Sequence, residues 1–173
     1  MRKKVLQVLI YCIIVSLILL LVIYSISRIR EKKIVEENIQ TFPSFCASSI
    51  INNIEICSDS LPNVPVLLMF MYPDCDFCQE EINQLKKNQN KLQNISILLI
   101  TAAPQEQAEN FYINQELTQI TNLHFLSDTE MKITELFNVN IIPSIFLYDK
   151  NKKLTQNFKG EIKVEALLKY LSE

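Results

Sequence analysis

The sequence predicts an α/β domain with a mixed central sheet, preceded by one transmembrane helix. Three observations carry this. Val5 through Ser27 holds no charged residue, and crossing the hydrocarbon core takes about 20 helical residues. Beyond that span, apolar runs of strand length alternate with amphipathic stretches, the pattern of a partly parallel sheet with helices on its faces. One apolar strand then passes through a short polar turn into Cys75-Asp76-Phe77-Cys78, where a helical pattern begins. A strand–turn–helix that delivers Cys-x-x-Cys to a helix N-terminus is more often a redox device than a structural one.

The length of 173 residues suits one domain plus a small appendage. The formal net charge of −2 gives no basic field, so nucleic acid is not an expected partner. Tryptophan is absent and Gly160 is the single glycine, so tight turns rely on Asn, Asp and Pro. There is no internal repeat. The five cysteines, Cys12, Cys46, Cys57, Cys75 and Cys78, are too few and too unevenly spaced for a disulfide scaffold.

The chain divides into a basic head (residues 1–4), a span (5–27), a charged stalk (28–40) and a domain (41–173). The span is longer than the ~7–15-residue apolar region of a cleaved signal peptide. No small-x-small site closes it, so it reads as an uncleaved signal-anchor. Cys12 follows Tyr11 and the apolar run continues well past it, unlike a lipoprotein acylation site; it reads as a membrane-buried thiol. Arg2, Lys3 and Lys4 precede the span and Arg28, Arg30, Lys32 and Lys33 follow it, so the positive-inside count is nearly balanced. Placing the domain on the outer, periplasmic or extracytoplasmic side rests more on its chemistry than on these charges. The stalk has too few apolar positions, Ile34 and Ile39, to pack into a core, and Thr41-Phe42-Pro43 ends it.

Within the domain, Phe45 to Ile56 reads as a β-hairpin about Asn52-Asn53. Val64 to Tyr72 is nearly all apolar, as in a strand buried on both faces. Cys78, Ile82, Leu85 and Leu92 share a helical stripe. Ile95 to Ile100 is a second apolar strand, and Pro104 opens a polar helix with Ala108, Phe111, Leu117 and Ile120. Leu123 to Leu126 is a short strand. Asp128 or Thr129 caps a helix with Ile133, Leu136 and Phe137. Ile141 to Tyr148, with Pro143 near its start, pairs antiparallel with Leu154 to Phe158. Ile162 to Leu171 closes the chain as a helix with Ile162, Ala166, Leu167 and Tyr170 inward.

Taken alone, Cys-x-x-Cys could be half a zinc site, a haem attachment site or a redox pair. Haem attachment needs His next, where Gln79 stands. Zinc needs a second ligand pair, and Cys46 with Cys57 has neither finger nor ribbon spacing. His124, the only histidine, reads as a packed or surface residue rather than a ligand. No metal or other cofactor is expected. At a helix N-terminus, unpaired N–H groups favour an anion, which lowers a thiol pKa and makes Cys75 the expected nucleophile. Cys78, on the apolar stripe, is the expected buried resolving thiol. Asp74 and Asp76 flank Cys75 with negative charge and oppose that effect.

Cys75-Asp76-Phe77-Cys78 after an apolar strand, with Ile141-Ile142-Pro143-Ser144-Ile145-Phe146 downstream, resembles the thioredoxin superfamily. The resemblance implies a thioredoxin-like three-layer fold with a mixed central sheet. It implies that Pro143 is a cis-proline beside the cysteine pair, with Ile142 and Pro143 holding a substrate backbone. Without it, Pro143 would be an ordinary edge-strand proline. The N-terminal hairpin, a helix and strand inserted between central strands (about Gln105 to Leu126), and a Glu three residues after the second cysteine look like the membrane-anchored TlpA and ResA type. That implies Glu81 as a modulator of the pair; the plain alternative is a solvated helix Glu, as Glu80 is expected to be. The usual Trp before the first cysteine is Asp74 here, and the intervening dipeptide lacks Gly or Pro. Peroxiredoxins resemble this fold but need Thr three residues before the reactive cysteine, where Tyr72 stands.

Cys46 and Cys57 could form a structural disulfide if the hairpin register sets them opposite each other. A one-residue shift would put them on opposite faces. They could also be two separate small residues, or a second redox pair. The sequence reads as a membrane-tethered thiol–disulfide oxidoreductase that reduces disulfides of envelope proteins, fed by a membrane electron donor. The alternative is a tethered binding or chaperone module without turnover.

Overall fold

The computed structural model describes residues 2–160, 162 and 164–171. The chain falls into two units, Met1–Glu37 and Asn38–Glu173. Helix α1 (Arg2–Asn38) runs through the first unit from Arg2. The side chains of residues 2–14, Cys12 among them, lie outside the described residues. Among the described residues no helix is long and apolar enough to cross a membrane. From Val15 to Ser27 every side chain is exposed, and towards the end of α1 Lys33 and Glu37 lie 3.9 Å apart at helical spacing.

The second unit begins three residues before the expected boundary. Ile39, read as stalk, is 3 % exposed. Its carbonyl accepts the Tyr148 hydroxyl at 3.0 Å. Thr41 and Lys153 form an isolated antiparallel bridge, and Phe42 packs edge-on to Tyr148 with ring centroids 4.8 Å apart. Ile39 docks the segment together with these backbone and ring contacts, which counting apolar positions does not capture.

Strands β1 (Cys46–Ser48) and β2 (Glu55–Cys57) pair antiparallel as a separate two-stranded sheet. The paired part is shorter than expected. Asn53 takes the left-handed conformation, and Ile50 leaves the hairpin to bury itself in the core. The Ile50 N–H donates to the Phe125 carbonyl at 2.8 Å.

The main sheet contains β3 (Val66–Phe70), β4 (Ser96–Thr101), β5 (Leu123–Ser127), β6 (Ser144–Tyr148) and β7 (Leu154–Lys159) in the order β5-β4-β3-β6-β7. The β3–β4 and β4–β5 pairs are parallel; β3–β6 and β6–β7 are antiparallel. The sheet is therefore mixed, as the alternation and the terminal hairpin predict. Every residue of β3, β4 and β6 is buried, because both faces are covered. On one face Leu67, Met69, Ile97, Leu99, Ile145 and Leu147 pack with residues of three helices. These are α2 (Asp76–Lys87), α3 (Gln105–Asn114) and α5 (Val164–Leu171). The alternate side chains face Phe137, which follows α4 (Lys132–Leu136) and packs on Phe70 and Phe146.

Two helices end earlier than their apolar pattern, and one strand starts later. Helix α2 stops at Lys87 and Leu92 reaches the core after a 3₁₀ turn; α3 stops at Asn114, and Leu117 and Ile120 follow a left-handed Glu116. Ile141 and Ile142 are exposed loop residues, and β6 starts only after Pro143. Asp128 caps α4 from three residues upstream of Met131, its carboxylate accepting the Ile133 and Thr134 N–H groups at 3.0 and 2.7 Å.

Candidate active site

The site forms where β3 ends. Phe70 pairs with Ile100 on one side and with Ser144 on the other. The turn carrying Tyr72 to Cys75 and the loop carrying Ile142 and Pro143 therefore leave from neighbouring strand ends. The Ile142–Pro143 peptide bond is cis, as the resemblance implies. The Pro143 carbonyl accepts the Gly160 N–H at 2.8 Å. Gly160 has a φ of 85°, a left-handed conformation that glycine adopts at no steric cost.

Cys75 is the N-cap of α2 and half-buried. Its sulfur accepts the backbone N–H of Cys78 at 3.2 Å. This is the capping geometry that Ser or Asp oxygens supply elsewhere, with sulfur in their place. Cys78 is fully buried, on the α2 face shared with Glu81, Ile82 and Leu85. The two cysteines are joined as a disulfide. The turn is braced from both sides. Gln79 donates from its side chain to the Pro73 carbonyl at 2.8 Å, and Gln107 of α3 donates to the Asp74 carboxylate at 2.7 Å.

Opposing electrostatic terms meet at Cys75. A helix N-terminus favours an anion by roughly 0.3–2 kcal/mol. An exposed carboxylate at roughly 7 Å in water opposes it by about 0.6 kcal/mol before screening. Asp74 and Asp76 are both exposed, so salt weakens their effect, while the hydrogen bond from Cys78 is local and persists. The helix N-terminus and the Cys78 N–H therefore act towards a thiolate at Cys75, and the two carboxylates act against it.

Glu81 is 1 % exposed. Its carboxylate accepts the backbone N–H of Ile162 ahead of α5. It is not a solvated helix Glu. Its neighbour Glu80 is exposed and accepts from Gln84 one turn on.

Cys46 and Cys57 face each other directly in the hairpin register and are disulfide-bonded. Their ligand atoms and that of Glu55 lie within 4.8 Å of one another, but sulfurs bonded to each other offer no thiolate to a metal. His124 lies half-buried in β5, and burial lowers its pKa from the ordinary 6.5. Reading the sequence for cysteines and prolines passed over Gln107 and Gly160. Their roles depend on contacts between α3 and the turn, and between β7 and the proline loop.

A profile of the AhpC/TSA family matches residues 39–157. The chain belongs to the AhpC/TSA family. The match runs from Ile39 into β7, ending at Asn157, and includes both cysteine pairs. No match is found among curated protein sequences. Among solved structures, the chain is similar to a secreted Mycobacterium tuberculosis disulfide oxidoreductase homologous to Escherichia coli DsbE. The identity is 20 %, covering 79 % of this chain and 97 % of that one, with a TM-score of 0.65. It is also similar to StoA from Bacillus subtilis at 16 % identity, covering 78 % and 99 % of the two chains with a TM-score of 0.62. The peroxidoxin BcpB from M. tuberculosis matches at 16 % identity over 76 % and 94 %, with a TM-score of 0.65. These likenesses establish the thioredoxin-like fold.

Proposed function

We propose that this protein is a membrane-tethered thiol–disulfide oxidoreductase that reduces disulfides of envelope proteins. One observation carries the reading: Cys75 caps α2 with its sulfur on the Cys78 N–H, while Cys78 is fully buried one turn on. That asymmetry suits a nucleophile that meets the client and a resolving thiol that works from within. Cys75 attacks the client disulfide; Cys78 then displaces the client from the mixed disulfide. Ile142 and Pro143, at the adjacent strand end, present backbone beside the reacting sulfur. Glu81 adjusts proton movement at the pair from one helical turn below it.

The uncharged run from Val5 to Ser27 supports the tether. Its described part, Val15 to Ser27, exposes its apolar side chains along the helix, which water disfavours and hydrocarbon accepts. An outer location fits the secreted state of the similar mycobacterial protein and the Cys46–Cys57 disulfide, since such bonds persist in oxidising compartments. The direction of electron flow follows the tether, which suits a membrane donor, and Ile142, which resembles the residue before the proline in reducing members.

The test is Cys78→Ser in the full chain. Mixed disulfides with envelope proteins should accumulate through Cys75 and disappear when Cys75 is also replaced. A binding or chaperone module, the reading that the Asp-flanked motif keeps alive, would trap nothing and keep its function. A redox titration decides direction: a potential near that of thioredoxin supports reduction, and one near strong oxidants overturns it.

A further inference from the structure

We propose that the surface around Cys75 selects client segments carrying an apolar side chain and a positive charge beside the reacting cysteine. This rests on the oxidoreductase reading and names its substrate class. Phe77, between the two cysteines, is 60 % exposed, although it is aromatic and sits in the first turn of α2. Ile141 and Ile142, just ahead of Pro143, are 51 % and 42 % exposed. All three lie at the end of the sheet where β3 runs out. The other exposed large apolar side chains of this unit are scattered: Ile51 and Ile54 on the hairpin loop, Ile113 on α3, Met131 before α4. An apolar surface beside a reactive sulfur is covered by whatever the sulfur reacts with.

The charge beside this surface identifies that occupant. Asp74 and Asp76 flank Cys75 and are exposed, and Glu80 is exposed one turn along α2. Gln107 holds the Asp74 carboxylate in place. Among the described residues, Lys159 of β7 lies opposite Ser144 of β6. A client sulfur bonded to Cys75 therefore meets an exposed acidic residue on either side of Cys75, and at 0.01 M salt such charges act over a Debye length of about 30 Å. A cation next to the client cysteine is attracted there and an anion repelled.

The chemical step is the same for every client. The Cys75 thiolate forms a bond to one client sulfur as the client S–S bond breaks, and the other client sulfur leaves as thiolate. The Cys78 thiolate then bonds to the Cys75 sulfur and expels the second client thiolate. Two electrons pass from the protein dithiol to the client, and both client thiolates take protons from solvent.

The experiment uses the full chain in neutral detergent, reduced with dithiothreitol and desalted. It is mixed with disulfide-linked peptides that differ only beside the cysteine: Leu with Lys, Leu with Glu, Gly with Lys, and Gly with Gln. At low ionic strength the peptide with Leu and Lys should react roughly tenfold faster than the peptide with Leu and Glu, falling to about twofold in 1 M salt. Asp74→Asn with Asp76→Asn should erase the Lys/Glu ratio. A changed thiol acidity would scale all peptides alike and leave that ratio intact. Phe77→Ala should cut the Leu/Gly ratio about fivefold and keep the charge ratio, with Phe77→Leu restoring most of it. A Lys/Glu ratio near one at low salt, or one unmoved by the double Asn variant, overturns the inference alone. No reaction with any peptide overturns the oxidoreductase reading and the inference with it.

Discussion

The carboxylate of Glu81 accepts the backbone N–H of Ile162, tying the helix that Cys75 caps and Cys78 sits on to the segment entering α5. Glu81 is three residues beyond Cys78 and buried on the same face of α2. Positions at that spacing are neighbours about 5–6 Å apart on a helix. One side chain thus links the Cys75–Cys78 pair to the C-terminal packing.

Replacing Glu81 separates its structural bond to Ile162 from the role proposed for it at the cysteines. Glu81→Ala removes the acceptor of the Ile162 N–H and should cost about 1–3 kcal/mol in denaturant unfolding. Glu81→Gln keeps an acceptor oxygen and should recover most of that stability. It should still change the pH dependence of thiol–disulfide exchange. An unchanged pH–rate profile in the Gln variant would leave Glu81 a purely structural role.

The Cys46–Cys57 disulfide should matter for stability rather than for exchange. It closes a loop with a sequence separation of 11, worth about 2–3 kcal/mol in the chain-entropy account. The Cys46→Ser, Cys57→Ser double variant should lose about that much in urea unfolding. Its rate of peptide disulfide reduction should match the parent. A collapse of that rate would mark the hairpin pair as part of the electron path.

Ile39 should behave as core. Its burial predicts that Ile39→Ala costs about 2–4 kcal/mol. Tyr148→Phe should cost about 1 kcal/mol, because its buried hydroxyl donates to the Ile39 carbonyl. Burial also pushes the Tyr148 phenol well above its ordinary value of 10.0, so Tyr148 stays neutral throughout the usual pH range. Thermal melts of the two variants against the parent check both figures.

His124 gives the fold an acid-side sensitivity. Burial lowers its folded pKa below the ordinary 6.5. Above that value it is neutral in both states and contributes no pH dependence. As pH falls below it, the unfolded chain takes up the proton first, so stability drops until pH passes the lowered folded value. His124→Gln should remove this part of the pH profile. A parent and variant with parallel stability curves between pH 7 and pH 5 would refute it.

Much of the fold can be read from local pattern. The runs at Val64–Tyr72 and Ile95–Ile100 are too uniformly apolar for anything but strands covered on both faces, and β3 and β4 are buried at every residue. Strand and helix order follows from such periodicity because it depends only on neighbours in the chain. Element ends do not. The helical stripe runs on to Leu92 and Ile120, yet both residues reach the core from 3₁₀ turns, because burial rewards position and not continued helix. Ile50 reads as a hairpin residue and is a core residue for the same reason.

At the site, residue types and their spacing determined Cys75 as N-terminal to α2 and Cys78 as the inward one, since a helix repeat dictates which face a residue meets. The resemblance added Pro143. Only the tertiary structure decided the rest. It set the Cys46–Cys57 register, where one residue of slip changes the face. It buried Glu81 against Ile162 while leaving Glu80 in water, although the two are adjacent and chemically alike. It drew Ile39 into the domain and brought Gln107 to Asp74. Each of these depends on a contact between segments far apart in sequence, and no periodicity within one segment encodes its distance to another.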